Sequence, residues 1–321
     1  MAMPVQPLLV GIDVSKAELL ICQDPAAPTA IVDNTPQAID RWLDSLSDGP
    51  VCLAVEATNT FHLALIECAH DRGHTVYVID GLRLNRYRQS IGGRAKTDAT
   101  DARLLWRYLA RERKDLRPWQ PPSAGYRAIQ RLLRRRAVLV RARTALEQSL
   151  KELPDFQEAA KALRQQFDQL DTALLQQLRN LARDAGWQEE IARCQAIEGV
   201  GPLTATALVM AYHRGQFRNA DAFVAFIGLD VRVRDSGTMR GRRKLTKQGD
   251  PELRRLLHLA AMQACRSTSW TAFYQRYLAR GLSKIQVLVI LARKISRVAF
   301  ALLKNQSTYQ PNMRLETCPV T

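Results

Sequence analysis

Three short apolar runs constrain the fold of the first third of the chain. Leu8-Leu9-Val10-Gly11-Ile12-Asp13-Val14 reads as a buried strand that ends in a carboxylate, and Val51-Cys52-Leu53-Ala54-Val55-Glu56 as a second one. Val76-Tyr77-Val78-Ile79 is a third, stopping at Asp80-Gly81. Glu18–Cys22 and Ala30–Val32 read as partners of the first run around an Asp24-Pro25 turn. Helices are expected over Pro36–Leu46 and Phe61–Asp71, the latter closed by Gly73. Strands first, then alternating helix and strand, predict a mixed sheet with helices on its faces.

Lys96-Thr97-Asp98-Ala99-Thr100-Asp101-Ala102 leads into apolar positions at Leu104, Leu105, Tyr108 and Leu109, so Asp98 and Asp101 share one face at a helix start. Each acid alone has an ordinary explanation: first-turn capping for Asp98 and Asp101, a strand-end acid for Asp13, a solvated one for Glu56. Together, two strands and one helix deliver carboxylates to a single sheet edge. Converging carboxylates repel unless cations hold them. Hard divalent ions with oxygen ligands do so, Mg²⁺ especially, and two ions roughly 3.5–4 Å apart can clamp a phosphodiester. The constellation predicts metal-dependent phosphoryl transfer with one or two Mg²⁺ ions.

Gly11-Ile12-Asp13-Val14-Ser15-Lys16, Glu56-Ala57-Thr58 and Lys96–Ala102 resemble the N-terminal signatures of the DEDD insertion-sequence transposases. That family is related to the Piv DNA invertase, and its N-terminal domain is similar to the RuvC resolvase. The resemblance implies an α/β RNase H-like (RuvC-like) domain with Asp13, Glu56, Asp98 and Asp101 at its metal-binding positions.

Composition shifts after Pro118, Pro121 and Pro122. Tyr126, Ile129, Leu132, Leu133, Leu139, Val140, Leu146, Leu150 and Leu153 form an apolar stripe broken by Arg136 and surrounded by arginines, Arg131 and Arg135 among them. Pro154 stops this helix and Asp155 is a candidate cap for the next. Phe156, Ala160, Leu163, Phe167, Leu170, Leu174, Leu178 and Leu181 then recur at nearly heptad spacing, to an end near Ala185-Gly186. A helical hairpin or coiled coil follows from this. Pairing between subunits is the expectation, with packing inside one chain as the alternative.

Ile197-Glu198-Gly199-Val200-Gly201-Pro202 resembles the turn of a helix-hairpin-helix module, whose second helix offers free N–H groups to a phosphate; a plain turn between helices would read the same. Phe217, Phe223, Phe226 and Ile227 read as core of a mainly α C-terminal domain. Asp235–Gly249 has neither helical nor strand periodicity and reads as a basic loop: Ser236 between an acid and a glycine, then Arg240, Arg242, Arg243, Lys244 and Lys247. From charge alone Ser236 is either a bystander in a polyanion-binding loop or a nucleophile. Pro251–Cys265, whose Arg254 and Arg255 extend the basic surface, and Ile285–Lys304 are helices, with Trp270, Phe273 and Tyr274 as packing aromatics and a polar tail from Asn305. Glu198–Pro202 and Asp235-Ser236-Gly237, followed by Arg240-Gly241 and Lys247-Gln248-Gly249, resemble the C-terminal domain of the same transposases. The resemblance makes Ser236 the nucleophile.

The domain limits drawn from this are 1–117, 118–188 and 189–321. Expected nucleic-acid contacts are Lys96, Arg131, Arg135, Gly199, Gly201, Arg240, Arg242, Arg243, Lys244 and Lys247. A formal charge of +16 and a pI near 10.0 fit a polyanionic partner. The apolar runs are too short for a membrane span, no signal-peptide pattern opens the chain, and the six cysteines form no CxxC pair. A cytoplasmic protein is expected, without a zinc site.

A serine hydroxyl needs a base or a metal to attack a phosphate, and no histidine lies near Ser236 in sequence; metals at the four acids are the economical activator. A covalent phosphoserine would conserve the phosphodiester energy, which suits a chain without a P-loop. The expected function is therefore a transposase or site-specific recombinase working through a phosphoserine. The alternatives are a two-metal nuclease that does not use the serine, and a non-catalytic nucleic-acid-binding protein. The acids and Ser236 lie more than 130 residues apart, so they act together within one chain or across subunits. The resemblance further implies a homodimer or homotetramer on donor and target DNA, guided by a structured noncoding RNA.

Overall fold

The computed structural model describes residues 6–46, 49–92, 98–232, 235–236, 239–240 and 243–311, with side chains given throughout except at 235–236 and 239–240. The chain divides into two compact units, Met1–Pro121 and Pro122–Thr321.

The first unit is a five-stranded sheet. β1 (Leu8–Val14), β2 (Glu18–Cys22) and β3 (Ala30–Asp33) form an antiparallel meander, followed by α1 (Pro36–Asp44), β4 (Val51–Glu56), α2 (Leu63–Asp71), β5 (Thr75–Ile79), α3 (Gly81–Ser90) and α4 (Asp98–Glu112). The strand order is β3-β2-β1-β4-β5, with β1, β4 and β5 parallel. Helices cover both faces, which is why β1 and β4 read as continuous apolar runs rather than alternating ones. Val10, Ile12 and Val14 of β1, with Val51, Leu53 and Val55 of β4, pack into one core that also takes Ile39 and Trp42 of α1 and Leu65 and Ile66 of α2. Cys52 and Ala54 face the opposite core, with Leu84 of α3 and Leu105 and Leu109 of α4.

α3 is absent from the sequence reading. Its Gly-Leu-Arg-Leu-Asn-Arg-Tyr-Arg-Gln-Ser carries no apolar stripe and buries only Leu84, so periodicity has nothing to detect. Asp80, read as the end of a strand, caps it by accepting the Arg83 N–H at 3.1 Å.

The second unit is almost wholly helical. α5 (Ala124–Ser149) and α6 (Gln157–Asp184) run antiparallel as an arm about 40 Å long. Arg136, the break in the apolar stripe, ion-pairs with Asp171 at 2.7 Å, and Arg143 does so with Asp168 at 2.7 Å, so the two stripes meet within one chain. Asp155 does not cap α6: it lies in a 3-10 turn, and Gln157 closes the tip instead by donating to the Leu150 and Leu153 carbonyls at 3.0 and 3.2 Å. The base of the arm buries Tyr126, Ile129, Leu133, Leu178 and Ala182 in the same core as the helices that follow.

Those helices are α7 (Gln188–Gln195), α8 (Pro202–Tyr212), α9 (Ala220–Ile227), α10 (Pro251–Ala264), α11 (Thr268–Leu278) and α12 (Lys284–Asn305). Phe223, Ile227 and Trp270 are core as expected, whereas Phe226 is exposed. Between α9 and α10 the described residues of the basic stretch include two short ladders. β6 (Val231–Arg232) pairs with β9 (Lys244–Leu245), and β7 (Asp235–Ser236) pairs with β8 (Met239–Arg240). Ladders two residues long leave no alternation for a sequence reading to detect. Arg254 belongs to the base of this hairpin rather than to an open basic face: it donates to the Gly249 carbonyl at 2.7 Å. Arg255 is held by Glu252 through two bonds of 2.6 and 2.7 Å.

Candidate active site

Strand parity decides where the acids go. Asp13 is two residues after Gly11 and Glu56 two after Ala54, so both point to the face covered by α3 and α4. β1 and β4 are parallel and in register at Ile12 and Val55, so the next residues, Asp13 and Glu56, end side by side at the carboxyl edge. α4 then brings Asp101, 4 % exposed, against them. One carboxylate oxygen from each of Asp13, Glu56 and Asp101 lies within 4.8 Å of the other two.

Two glycines make room for this. A Cβ on Gly11 would lie 2.2 Å from the Ala102 carbonyl oxygen and 2.3 Å from the Trp106 nitrogen, so any side chain there would lift α4, and Asp101 with it, off the sheet. A Cβ on Gly81 would lie 2.5 Å from Glu56 Oε1. The Glu56 carboxylate thus sits at the N-terminus of α3, where the helix dipole favours negative charge.

Asp98 is not part of the close trio. It is the exposed first residue of α4, one turn before Asp101, and acts on Asp13 through its charge. Burial, and then repulsion from Asp101, Asp98 and Glu56, push the Asp13 carboxyl from 3.8 up to about 6. Arg88 of α3 offsets part of the negative charge: its Nη2 donates to Asp101 Oδ1 at 2.6 Å, and both side chains are largely buried. The sequence reading missed Arg88 because it missed α3. Three crowded oxygen ligands, one of them reluctant to ionise, fit a hard divalent cation, which would relieve the repulsion that protonation of Asp13 otherwise relieves.

In the second unit, Ser236 pairs through its backbone with Met239, and Asp235 with Arg240, so Ser236 ends its strand at the closed end of the hairpin. Lys96 and Arg242 lie outside the described residues. Arg243, Lys244 and Lys247 are exposed beside the hairpin, and Arg131 and Arg135 are exposed on α5. Gly199 has φ +87, and a Cβ there would lie 2.5 Å from the Ala260 carbonyl oxygen, so close packing on α10 already requires glycine. Gly201, by contrast, is exposed and precedes α8, which starts without a side-chain cap. Glu198 faces elsewhere, accepting the Ser269 hydroxyl at 2.6 Å.

A mixed five-stranded sheet bearing acids at its carboxyl edge is consistent with the RNase H-like DEDD fold. Residues 10–156 match the IS110-type DEDD model, described as a transposase, and residues 192–276 match the transposase IS116/IS110/IS902 family, in chain order. The chain is 28% identical over 268 residues to the pilin gene-inverting protein of Moraxella bovis, across 80% of this chain and 81% of that one. It is 28% identical over 301 residues to a probable family 20 transposase of Pseudomonas aeruginosa, across 82% and 87% of the two chains. It is 31% identical over 121 residues to the uncharacterized 43.6 kDa protein of insertion element IS110 from Streptomyces coelicolor, across 37% and 30%.

The chain belongs to the IS110-type DEDD transposases and is a DNA transposase or recombinase. Membership implies a DNA substrate and a divalent metal, for which the acidic trio of Asp13, Glu56 and Asp101 is present. No helix among the described residues is long and apolar enough to cross a membrane.

Proposed function

We propose that this transposase cuts and rejoins DNA through a covalent bond to Ser236, with Mg²⁺ held by Asp13, Glu56 and Asp101 and assisted by the charge of Asp98. The observation that carries the metal half is the crowding of three carboxylates, Asp101 buried and Asp13 and Glu56 half-buried. Bound there, Mg²⁺ supplies positive charge to a phosphodiester and lowers the barrier to attack on it. The Ser236 oxygen forms a bond to phosphorus as the phosphorus–oxygen bond to a deoxyribose breaks, and the departing sugar oxygen ends as a hydroxyl, taking up a proton in place of the one the serine gives up. Reversal with a different sugar hydroxyl rejoins the strand without an external energy source. The seat of Ser236 at the closed end of a hairpin flanked by Arg243, Lys244 and Lys247 supports this, since cations there attract the polyanion.

The test is a denaturing gel of labelled substrate DNA incubated with protein and Mg²⁺. A DNA–protein adduct is expected, lost in Ser236→Ala and retained in Thr238→Ala. Free nicked product that persists in Ser236→Ala would instead establish a two-metal nuclease.

The chain acts as a homodimer or homotetramer, in this reading, and the arm is the pairing element. Val138, Leu146, Leu153, Phe156, Leu163 and Leu170 stay exposed on it after the two helices have packed together. A structured noncoding RNA selects donor and target, in keeping with the +16 charge. Purified protein is expected to retain a defined RNA, identified by sequencing what co-purifies. Full site-specific activity of RNA-free protein would refute the RNA's role.

A further inference from the structure

A concavity of the first unit lies beside the acids rather than at them. It is a groove of about 560 Å³ along α4, floored by Leu104 and Trp106 and walled by Arg88, Arg103, Arg107 and Arg111. Arg88 is compensated by Asp101, which leaves three guanidiniums of one sign along the groove. Among the described residues, no carboxylate forms an ion pair with Arg103, Arg107 or Arg111; Arg103 is tied only to the Ala27 carbonyl, at 3.2 Å, and Arg107 and Arg111 are exposed. A groove lined by one sign of charge attracts a polyanion.

Its layout selects the kind of polyanion. Arg103, Arg107 and Arg111 recur every fourth residue, so they line one side of α4 with a rise of about 6 Å between neighbours. That step is close to the separation of successive phosphates along a nucleic-acid strand. The row is also oriented. Arg88 belongs both to the groove and to the acidic trio, through its bond to Asp101, while Arg111 lies nearly three turns of α4 beyond Asp101. We propose that this groove is the track for the phosphodiester backbone of the DNA strand leading to the acids, with Arg103, Arg107 and Arg111 each holding a phosphate and Arg88 at the inner end. The apolar floor suits the sugar faces that a backbone turns inward. This assignment rests on the reading of the trio as the site of phosphoryl transfer.

The test uses the full chain, without divalent metal, and a fluorescent single-stranded DNA of mixed sequence, with binding followed by anisotropy over a salt series. Arg107→Gln/Arg111→Gln changes two exposed side chains, and its melting temperature should match wild type. The slope of log K against log salt is expected to fall in magnitude by roughly 1.4, about 0.7 for each lost phosphate contact on a single strand. Arg107→Lys/Arg111→Lys is expected to regain most of that loss. An unchanged slope for DNA, or one that falls on an RNA of the same sequence and not on DNA, would overturn the proposal. Failure of the two readings is distinguishable. A lost slope with a wild-type protein that never cleaves in Mg²⁺ leaves the groove standing and removes the trio's role. An unchanged slope with normal Mg²⁺-dependent cleavage does the reverse.

Discussion

Replacing Asp13 with asparagine is expected to abolish strand cleavage while making the metal-free protein more stable at neutral pH. The two effects share one cause. The Asp13 carboxyl is pushed up to about 6 by burial and by its acidic neighbours, so the folded chain holds this proton more tightly than the unfolded chain, where the value is 3.8. Stability from this group is therefore greatest below the unfolded value and declines as pH rises through the folded one. Above about pH 6 the folded protein carries the full repulsion of the ionised cluster. Asparagine removes that repulsion. In a pH series without divalent ions, the melting temperature of Asp13→Asn should match wild type in strong acid, pull ahead across the window between the two values, and stay ahead above it. Added Mg²⁺ should raise the wild-type melting temperature more than the variant's. The rate of cleavage should fall on the order of 10³-fold or more, since the positive charge a bound ion brings to the transition state is worth several kcal/mol. A variant that is no more stable than wild type at pH 8 would show that the acids are not in conflict.

Arg88→Met should have the opposite effect on the metal-free protein. Methionine keeps much of the aliphatic packing but leaves the Asp101 carboxylate buried without its guanidinium partner. Breaking a buried pair from one side typically costs about 3–5 kcal/mol, because the remaining charge is uncompensated. Chemical denaturation should show a loss of that order, and Mg²⁺ should restore part of it by supplying a cation to the same carboxylate. The double variant Arg88→Met/Asp101→Asn should recover most of the loss without metal. A loss below about 1 kcal/mol, the range of exposed ion pairs, would mean the pair is solvated and not a structural part of the site.

The acids were legible in the sequence because they end strongly patterned strands. Once Val10, Ile12 and Val14 face one core, parity sends Gly11 and Asp13 to the other side, and Val55 does the same for Glu56. Asp101 was legible from its place one turn into a helix. What could not be read was the difference between Asp101 and Asp98, since both fit the same face and only the docking of α4 at Gly11 buries one of them. Arg88 was hidden for another reason: α3 is polar along nearly its whole length, so nothing announced it as a helix packed on the sheet. In the second unit the long stripes of α5 and α6 revealed the arm. They did not reveal that Arg136 meets Asp171 across it, because a charge inside an apolar stripe looks the same whether its partner lies in the same chain or another. The hairpin around Ser236 escaped notice because ladders of two residues are set by turns and register rather than by composition.

The crowded acids and the hairpin serine, in the proposed function, serve one phosphoryl transfer. Mass-spectrometric mapping of the DNA-linked peptide tests it most directly, on protein trapped with a nicked substrate in Mg²⁺. A single nucleotide-bearing peptide is expected, with the modification on Ser236, absent without divalent ions and absent in Asp13→Asn. A linkage to another residue, or an adduct that forms equally well in Asp13→Asn, would contradict it.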